Sequence, residues 1–215
     1  MPTSNARLPR LLLFDFGGVL LHLNDPVKTF EFGNTREEFN RLWLLSPAVR
    51  AHETGTIGPQ EFAECMVADL ALPYSPQDFI RRFDSWPAGV SAATRAVLQR
   101  VSADIECAIL SNTNDLHWQK QDIQKDLGGR IARTFLSFET GYIKPDERAF
   151  THVLDETGYA ASDVLFLDDN LLNITAAAAL GLRARLCPGV TALASVLEAE
   201  DVISPLLCVS CRTVR

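Results

Sequence analysis

An apolar stretch, Leu11 to Phe14, runs into an acid, Asp15, and then into Phe16-Gly17-Gly18. A second run, IECAIL at residues 105–110, stops at Ser111-Asn112-Thr113, and a third, VLFL at 164–167, stops at Asp168-Asp169-Asn170. Lys144 stands before Pro145 in GYIKPDERAF. A carboxylate at the end of a buried strand is costly unless it is partnered or put to use. If the three strands are neighbours, their ends gather carboxylates, a hydroxyl, an amide and one ammonium. That set suits magnesium-assisted phosphoryl transfer. Carboxylate oxygens are hard ligands of the kind Mg²⁺ prefers, with waters completing its octahedron. A carboxylate also attacks phosphorus to form an aspartyl-phosphate. Ser111 and Asn112 are placed to hydrogen-bond the phosphoryl oxygens, and Lys144 to neutralise their charge and that of the nucleophile.

The elements that must position these residues are strands alternating with helices. The apolar runs at 11–14, 105–110 and 164–167 read as buried strands, with shorter candidates at 134–138 and 184–186. Residues 146–157 carry Phe150, Val153 and Leu154 at helical spacing, and Gly158 suits a C-terminal cap. Residues 91–101 and 173–180 also read as helices. The alternation predicts an α/β fold, a Rossmann-like parallel sheet with helices on both faces. Ligands bind such sheets at the carboxyl ends of the strands, where the topology switches.

One segment breaks the alternation. From about Asn24 to Pro87 the pattern is helical throughout. Thr35-Arg36-Glu37-Glu38 forms a capping box before Phe39, Leu42, Trp43 and Leu44. Gly55, Gly58 and Pro59 interrupt it, residues 60–70 resume it, and Ser75-Pro76 opens another helix. We expect residues 1–21 and 88–215 to form the α/β core, and 22–87 an inserted small helical cap domain.

The order FDFGGVL, ILSNT, GYIKP and FLDDN resembles the haloacid dehalogenase-like (HAD) hydrolase superfamily, in its helical-cap subclass. LSNTNDLH, HETGTIGPQEFAE and FLDDNLLNI look like a subgroup of its sugar-phosphate phosphatases, similar to a bacterial α-D-glucose-1-phosphate phosphatase. The resemblance implies a Mg²⁺-dependent phosphatase acting on a small phosphorylated metabolite, with a sugar phosphate favoured. By match, Asp15 is the nucleophile, and Ser111 binds phosphate with Asn112 beside it. Lys144 orients nucleophile and phosphate. Asp168 ligates Mg²⁺, Asp169 holds the metal's water shell or ligates it directly, and Gly17 offers its backbone carbonyl.

Gly17 is also the departure. The usual phosphatase of this family carries a second Asp there as general acid and base, help worth about 10²- to 10⁴-fold. The sugar-phosphate subgroup shares the glycine. An anomeric phosphate leaves as a better leaving group than an ordinary alkoxide and needs less protonation. His22, His52 and Glu53 are the cap-side candidates for a proton donor. Two alternatives remain: a metal-independent 2-haloacid dehalogenase, whose family members also lack the second Asp, and a non-catalytic phosphate-ligand-binding member of the fold.

Each residue also has a plainer reading. Asp15 could be a satisfied buried acid, Ser111 a helix cap, and Lys144 a solvated loop lysine. His52-Glu53 reads as a helix-end pair, His22 as part of a hinge, and His117 and Trp118 as ordinary surface or core residues. Asp168-Asp169-Asn170 lacks the alternating acids and distant glutamate of a calcium loop. Gly17-Gly18 lacks the third glycine of a dinucleotide fingerprint and serves a sharp turn instead. A net charge of −7 argues against nucleic acid or an anionic membrane as partner. The first ten residues lack the apolar region of a signal peptide, so a cytoplasmic location is expected. Five scattered cysteines imply no disulfide framework, and the Cys208–Cys211 pair has no second pair to complete a zinc site.

Overall fold

The computed structural model describes residues 7–120 and 122–205. Cys208 and Cys211 lie outside them. Among the described residues there are seven strands: β1 (Leu11–Phe14), β2 (Leu21–Leu23), β3 (Pro87–Val90), β4 (Glu106–Ser111), β5 (Arg133–Leu136), β6 (Val164–Asp168) and β7 (Arg183–Leu186). Five form a parallel sheet in the order β5-β4-β1-β6-β7. This is the expected Rossmann-like α/β architecture.

The central strand is apolar at every position because both of its faces are covered. Leu12 and Phe14 pack with Val97, Leu98, Leu193 and Leu197 on one side. Leu11 and Leu13 pack with Phe150, Val153 and Ala177 on the other. Those partners come from helices that flank the sheet. Between β2 and β3 lie α1 (Pro26–Thr29), α2 (Arg36–Leu45), α3 (Pro47–Glu53), α4 (Pro59–Asp69) and α5 (Pro76–Asp84). After β3 come α6 (Ala92–Leu98), α7 (Asp115–Trp118), α8 (Ile123–Asp126), α9 (Ser137–Thr140), α10 (Glu147–Thr157), α11 (Leu171–Ala179) and α12 (Val190–Ala199).

The helical segment has its own core. Phe30, Phe39, Phe62, Phe79 and Phe83 are buried there, with Trp43 and Trp86 packed against them. Phe30 stacks on both Phe39 and Phe79 at 5.3 Å between ring centroids. Rings in this geometry add about 0.5–1.5 kcal/mol per pair beyond their area. The caps follow the sequence. Thr35 accepts from the Glu38 amide and Ser75 from the Asp78 amide. Only half of the capping box forms, because the Glu38 carboxylate pairs with Arg41.

Two features differ from the sequence expectation. The strand expected over 134–138 ends at Leu136, and the chain turns into α9. Ser137 causes the turn: its hydroxyl accepts from the Thr113 amide and donates to the Thr113 carbonyl, leaving the β ladder. The second is an antiparallel ribbon of β2 and β3, with Leu21 opposite Val90 and His22 opposite Gly89. Three or four residues carry too little periodicity to show in a sequence. The ribbon joins the helical segment to the sheet, and Trp86 Nε1 donates to the Asn24 carbonyl beside it. Among the described residues, no helix is long and apolar enough to cross a membrane.

Candidate active site

Strand register assembles the site. β1 lies between β4 and β6, with Phe14 opposite Ile109 and Leu167. The next residue, Asp15, donates its amide to the Leu167 carbonyl at 2.8 Å. The ends of three adjacent strands therefore bring Asp15, Ser111 and Asp168 together at the switch point where ligands bind. The chain then bends back on itself. The amides of Leu20 and Leu21 donate to the Phe16 carbonyl, and Gly18 adopts φ 85°. A Cβ at Gly18 would also overlap the Asp169 carboxylate, so this position admits only glycine. Gly17 differs: a Cβ there would meet Leu23 at 3.5 Å, an ordinary contact.

Lys144 reaches the centre from the loop before α10. Its Nζ donates to Asp15 Oδ1 and Asp168 Oδ2, both at 2.7 Å, and the side chain is fully buried. Asn112 fixes the lysine backbone. Its Nδ2 donates to the Lys144 carbonyl and its Oδ1 accepts from the Lys144 amide, each at 2.9 Å. The Asn112 side chain is thus engaged in positioning, although the residue lines the cavity. Ser111 is buried and also lines it. Among the described residues, its hydroxyl makes one long hydrogen bond, 3.5 Å, to the Asn112 carbonyl.

The two neighbouring acids have different surroundings. Asp168 is fully buried and saturated. It accepts from the Asn170 amide at 2.8 Å, from Asn173 Nδ2 at 3.0 Å, and from Lys144. The Asp169 carboxylate opens into the cavity.

Burial raises the Asp15 carboxyl to about 7; the nearby Lys144 charge opposes this rise, and the Asp168 and Asp169 charges add to it. Enclosure and the charge of Asp168 bring Asp169 to about 6. Burial opposes the Lys144 charge too, yet its two carboxylate partners hold the ammonium above its ordinary range. One lysine does not neutralise this acid cluster.

A divalent cation fits the residues present. Asp15, Asp168 and Asp169 offer carboxylate oxygens within 4.8 Å of one another. Asn173 Oδ1 is buried beside them without a partner among the described residues, as an acceptor for a metal-bound water would be.

A cavity of about 500 Å³ lies between these strand ends and the helical segment. It sorts the three candidate proton donors. His22 is exposed on the ribbon and does not line it. His52 is buried, stacked on Phe62 at 4.3 Å, with Nδ1 3.2 Å from the Ile57 carbonyl; it does not line the cavity either. Glu53 does line it, from the end of α3. Burial pushes its carboxyl up to about 8, against the pull of Lys144.

Sequence reasoning missed several lining residues. Arg50 stands one turn before Glu53 on α3. Asn173 falls within FLDDNLLNI, and its spacing from Asp168, one helical turn past the cap, is the signal that could have found it. His117, taken for an ordinary residue, ties the two units together. Its Nε2 lies 2.7 Å from the Phe83 carbonyl, so this nitrogen carries the proton and donates. Trp118 lines the cavity beside it.

The chain belongs to the haloacid dehalogenase-like hydrolases, whose family model matches residues 9–181 and so all four strand-end and loop motifs. A curated relative is the drimenol cyclase drtB of Aspergillus calidoustus, 43% identical over 177 residues. The match covers 81% of this chain and 33% of that protein, so the chain spans about a third of that relative's length. Among solved structures, the magnesium complex of the HAD family enzyme bt-2542 from Bacteroides thetaiotaomicron superposes with a TM-score of 0.66. It is 25% identical and covers 85% of this chain and 94% of its own. A dehalogenase shares the fold at a TM-score of 0.61 and 22% identity, over 82% of this chain and 83% of its own.

Proposed function

We propose that this hydrolase is a Mg²⁺-dependent phosphatase that cleaves a small phosphate monoester through an aspartyl-phosphate on Asp15. The observation that carries the reading is the Asp15–Lys144–Asp168 chain of 2.7 Å contacts beside a second, cavity-facing acid, Asp169. A metal-independent dehalogenase has no use for that second acid. The magnesium complex of the bt-2542 enzyme supports the same choice. Asp15, Asp169 and the Gly17 carbonyl would hold the ion. Asp168, which the resemblance puts among the ligands, already has its oxygens bonded to Lys144, Asn170 and Asn173 and would steady the assembly from behind. Bound there, Mg²⁺ would neutralise the carboxylates and the phosphoryl oxygens.

The chain's own residues do the rest. Asp15 attacks phosphorus, and the ester P–O bond breaks. Ser111 and the backbone at Asn112 hold the phosphoryl oxygens, with Lys144 and Arg50 balancing their charge. Glu53, protonated at neutral pH, gives its proton to the leaving alkoxide. Water then attacks the aspartyl-phosphate and returns a proton to Glu53, releasing phosphate and free Asp15. The helical unit, residues 22–87, acts as the cap that excludes water from the first step. No cyclase activity is proposed, because the drimenol cyclase match covers only 33% of that protein.

The test is phosphate release from a panel of sugar, alkyl and aryl phosphates, with Mg²⁺ or EDTA. Release that needs Mg²⁺ and falls at least about 10⁴-fold in Asp15→Asn is expected, the scale seen when a nucleophile is removed. Release that persists in EDTA or in Asp15→Asn overturns the reading. Chloride release from 2-chloropropionate would put the dehalogenase in its place.

A further inference from the structure

The strand-end floor of the cavity is charged, but its opposite wall is carbon. Trp43, Leu44 and Leu45 from the end of α2, Phe83 from α5 and Trp86 from the link just before β3 form that wall. Leu172 faces them from α11. Leu44, Leu45 and Leu172 are 58%, 69% and 60% exposed, so large apolar side chains converge on one opening from two units. A lone exposed leucine is ordinary; a contiguous set at a cavity mouth marks a binding surface.

Two of the polar atoms along this wall are already engaged. Trp86 Nε1 donates to the Asn24 carbonyl at 3.0 Å, and His117 Nε2 to the Phe83 carbonyl. Arg50 and Glu53 stay at the charged end. Arg50 lies 3.8 Å from Asp146, close to Lys144 in sequence, and the Glu53 carboxyl feels the Lys144 and Asp15 charges.

We propose that the organic part of the substrate is apolar: the chain is a phosphatase for phosphate monoesters of aliphatic or aryl-aliphatic alcohols rather than of sugars. This rests on the phosphatase reading and names its substrate class. A sugar's hydroxyls would face carbon, and each one buried without a partner lowers affinity by about tenfold or more. Each methylene placed on the wall instead raises it by about threefold. A cavity of about 500 Å³ has room for a chain of several carbons beyond the phosphate.

The experiment is a series of n-alkyl phosphates from ethyl to decyl, below their micelle concentrations, beside glucose-1-phosphate and glucose-6-phosphate, all with Mg²⁺. We expect kcat/KM to climb about threefold per methylene until the cavity is filled, mostly through KM. Both glucose phosphates should fall below butyl phosphate. Leu45→Asn combined with Leu172→Asn, both at exposed positions, should lower kcat/KM for decyl phosphate by about tenfold and flatten the chain-length slope. A flat series, or glucose phosphates outrunning butyl phosphate, overturns the inference while leaving the phosphatase intact. If no ester is cleaved, the phosphatase reading fails, and calorimetry then decides the apolar site on its own. Decyl phosphate binding no tighter than ethyl phosphate overturns it.

Discussion

On the floor of the cavity, Lys144 sits 2.7 Å from two carboxylates while Asn112, Asn170 and Asn173 fix the groups around it. Across from it, Trp43 and Trp86 meet edge to face at 4.9 Å, and Phe83 packs against both. The floor is held by directional bonds between charged groups, and a shift of a fraction of an ångström breaks them. The roof is held by area and shape, which tolerate exchange of one apolar side chain for another. On the proposed reading the contrast divides the labour: the floor carries the nucleophile and its charge partners, and the apolar roof defines what is admitted to them.

The sharpest way to break the contrast is at Lys144. Lys144→Met keeps the stem and removes the charge, stranding Asp15 and Asp168 together in a buried place. A loss of about 3–5 kcal/mol in urea unfolding without metal is expected, with a large part recovered on adding Mg²⁺. A variant as stable as the wild type in EDTA would mean that the floor does not depend on its ion pairs.

Next in size is the exchange of roles between roof and floor. Glu53→Gln removes the proposed proton donor, which the helical segment brings to the charged end, and should cost about 10²- to 10⁴-fold on alkyl phosphates, and much less on an aryl phosphate with a good leaving group. Gly17 has space for a side chain, so Gly17→Asp in the Glu53→Gln background should restore much of the alkyl activity. Equal losses on alkyl and aryl esters, with no rescue, would remove Glu53 from the mechanism.

The smallest effect concerns the seam. His117 is held neutral, its imidazole lowered by burial to about 4 from an ordinary 6.5. Below pH 6.5 the unfolded chain takes a proton that the folded chain refuses. This residue's contribution to stability is therefore lost as pH falls from about 6.5 towards about 4, by at most about 3 kcal/mol. His117→Gln keeps a donor for Phe83 and does not titrate. Urea melts at pH 7 and pH 4.5 should show a smaller acid loss in the variant than in the wild type. Parallel losses would show that the seam does not sense pH.

The floor was legible in the sequence and the roof was not, for a physical reason. Asp15, Ser111 and Asp168 each end an apolar run, and a parallel sheet aligns strand ends, so position along the chain nearly gives position in space. Lys144 needed the motif around it. Trp43, Phe83 and Leu172 come from three separate helices and Trp86 from the link before β3, and no local pattern says that they share a wall. Their helices were readable from caps and periodicity, but helical packing, which decides which side faces the cavity, was not. Asn112 shows the same limit at closer range: its place at a strand end beside Ser111 was readable, but its reciprocal bonds to the Lys144 backbone appear only in three dimensions.

The small ribbon of β2 and β3 has a consequence for how such a molecule can diversify. Paired residues such as His22 and Gly89 stand one strand spacing apart, about 5 Å. The whole helical segment therefore leaves and re-enters the sheet through a single narrow doorway, and it brings its own core. The host fold pays little extra closure entropy for a long insertion over a short one. The roof is in this sense a cassette. Recombination at the doorway can replace it with one of another shape while the strand ends below keep their register, so specificity, together with whatever proton donor the segment carries, can be inherited separately from the strand-end carboxylates and their lysine.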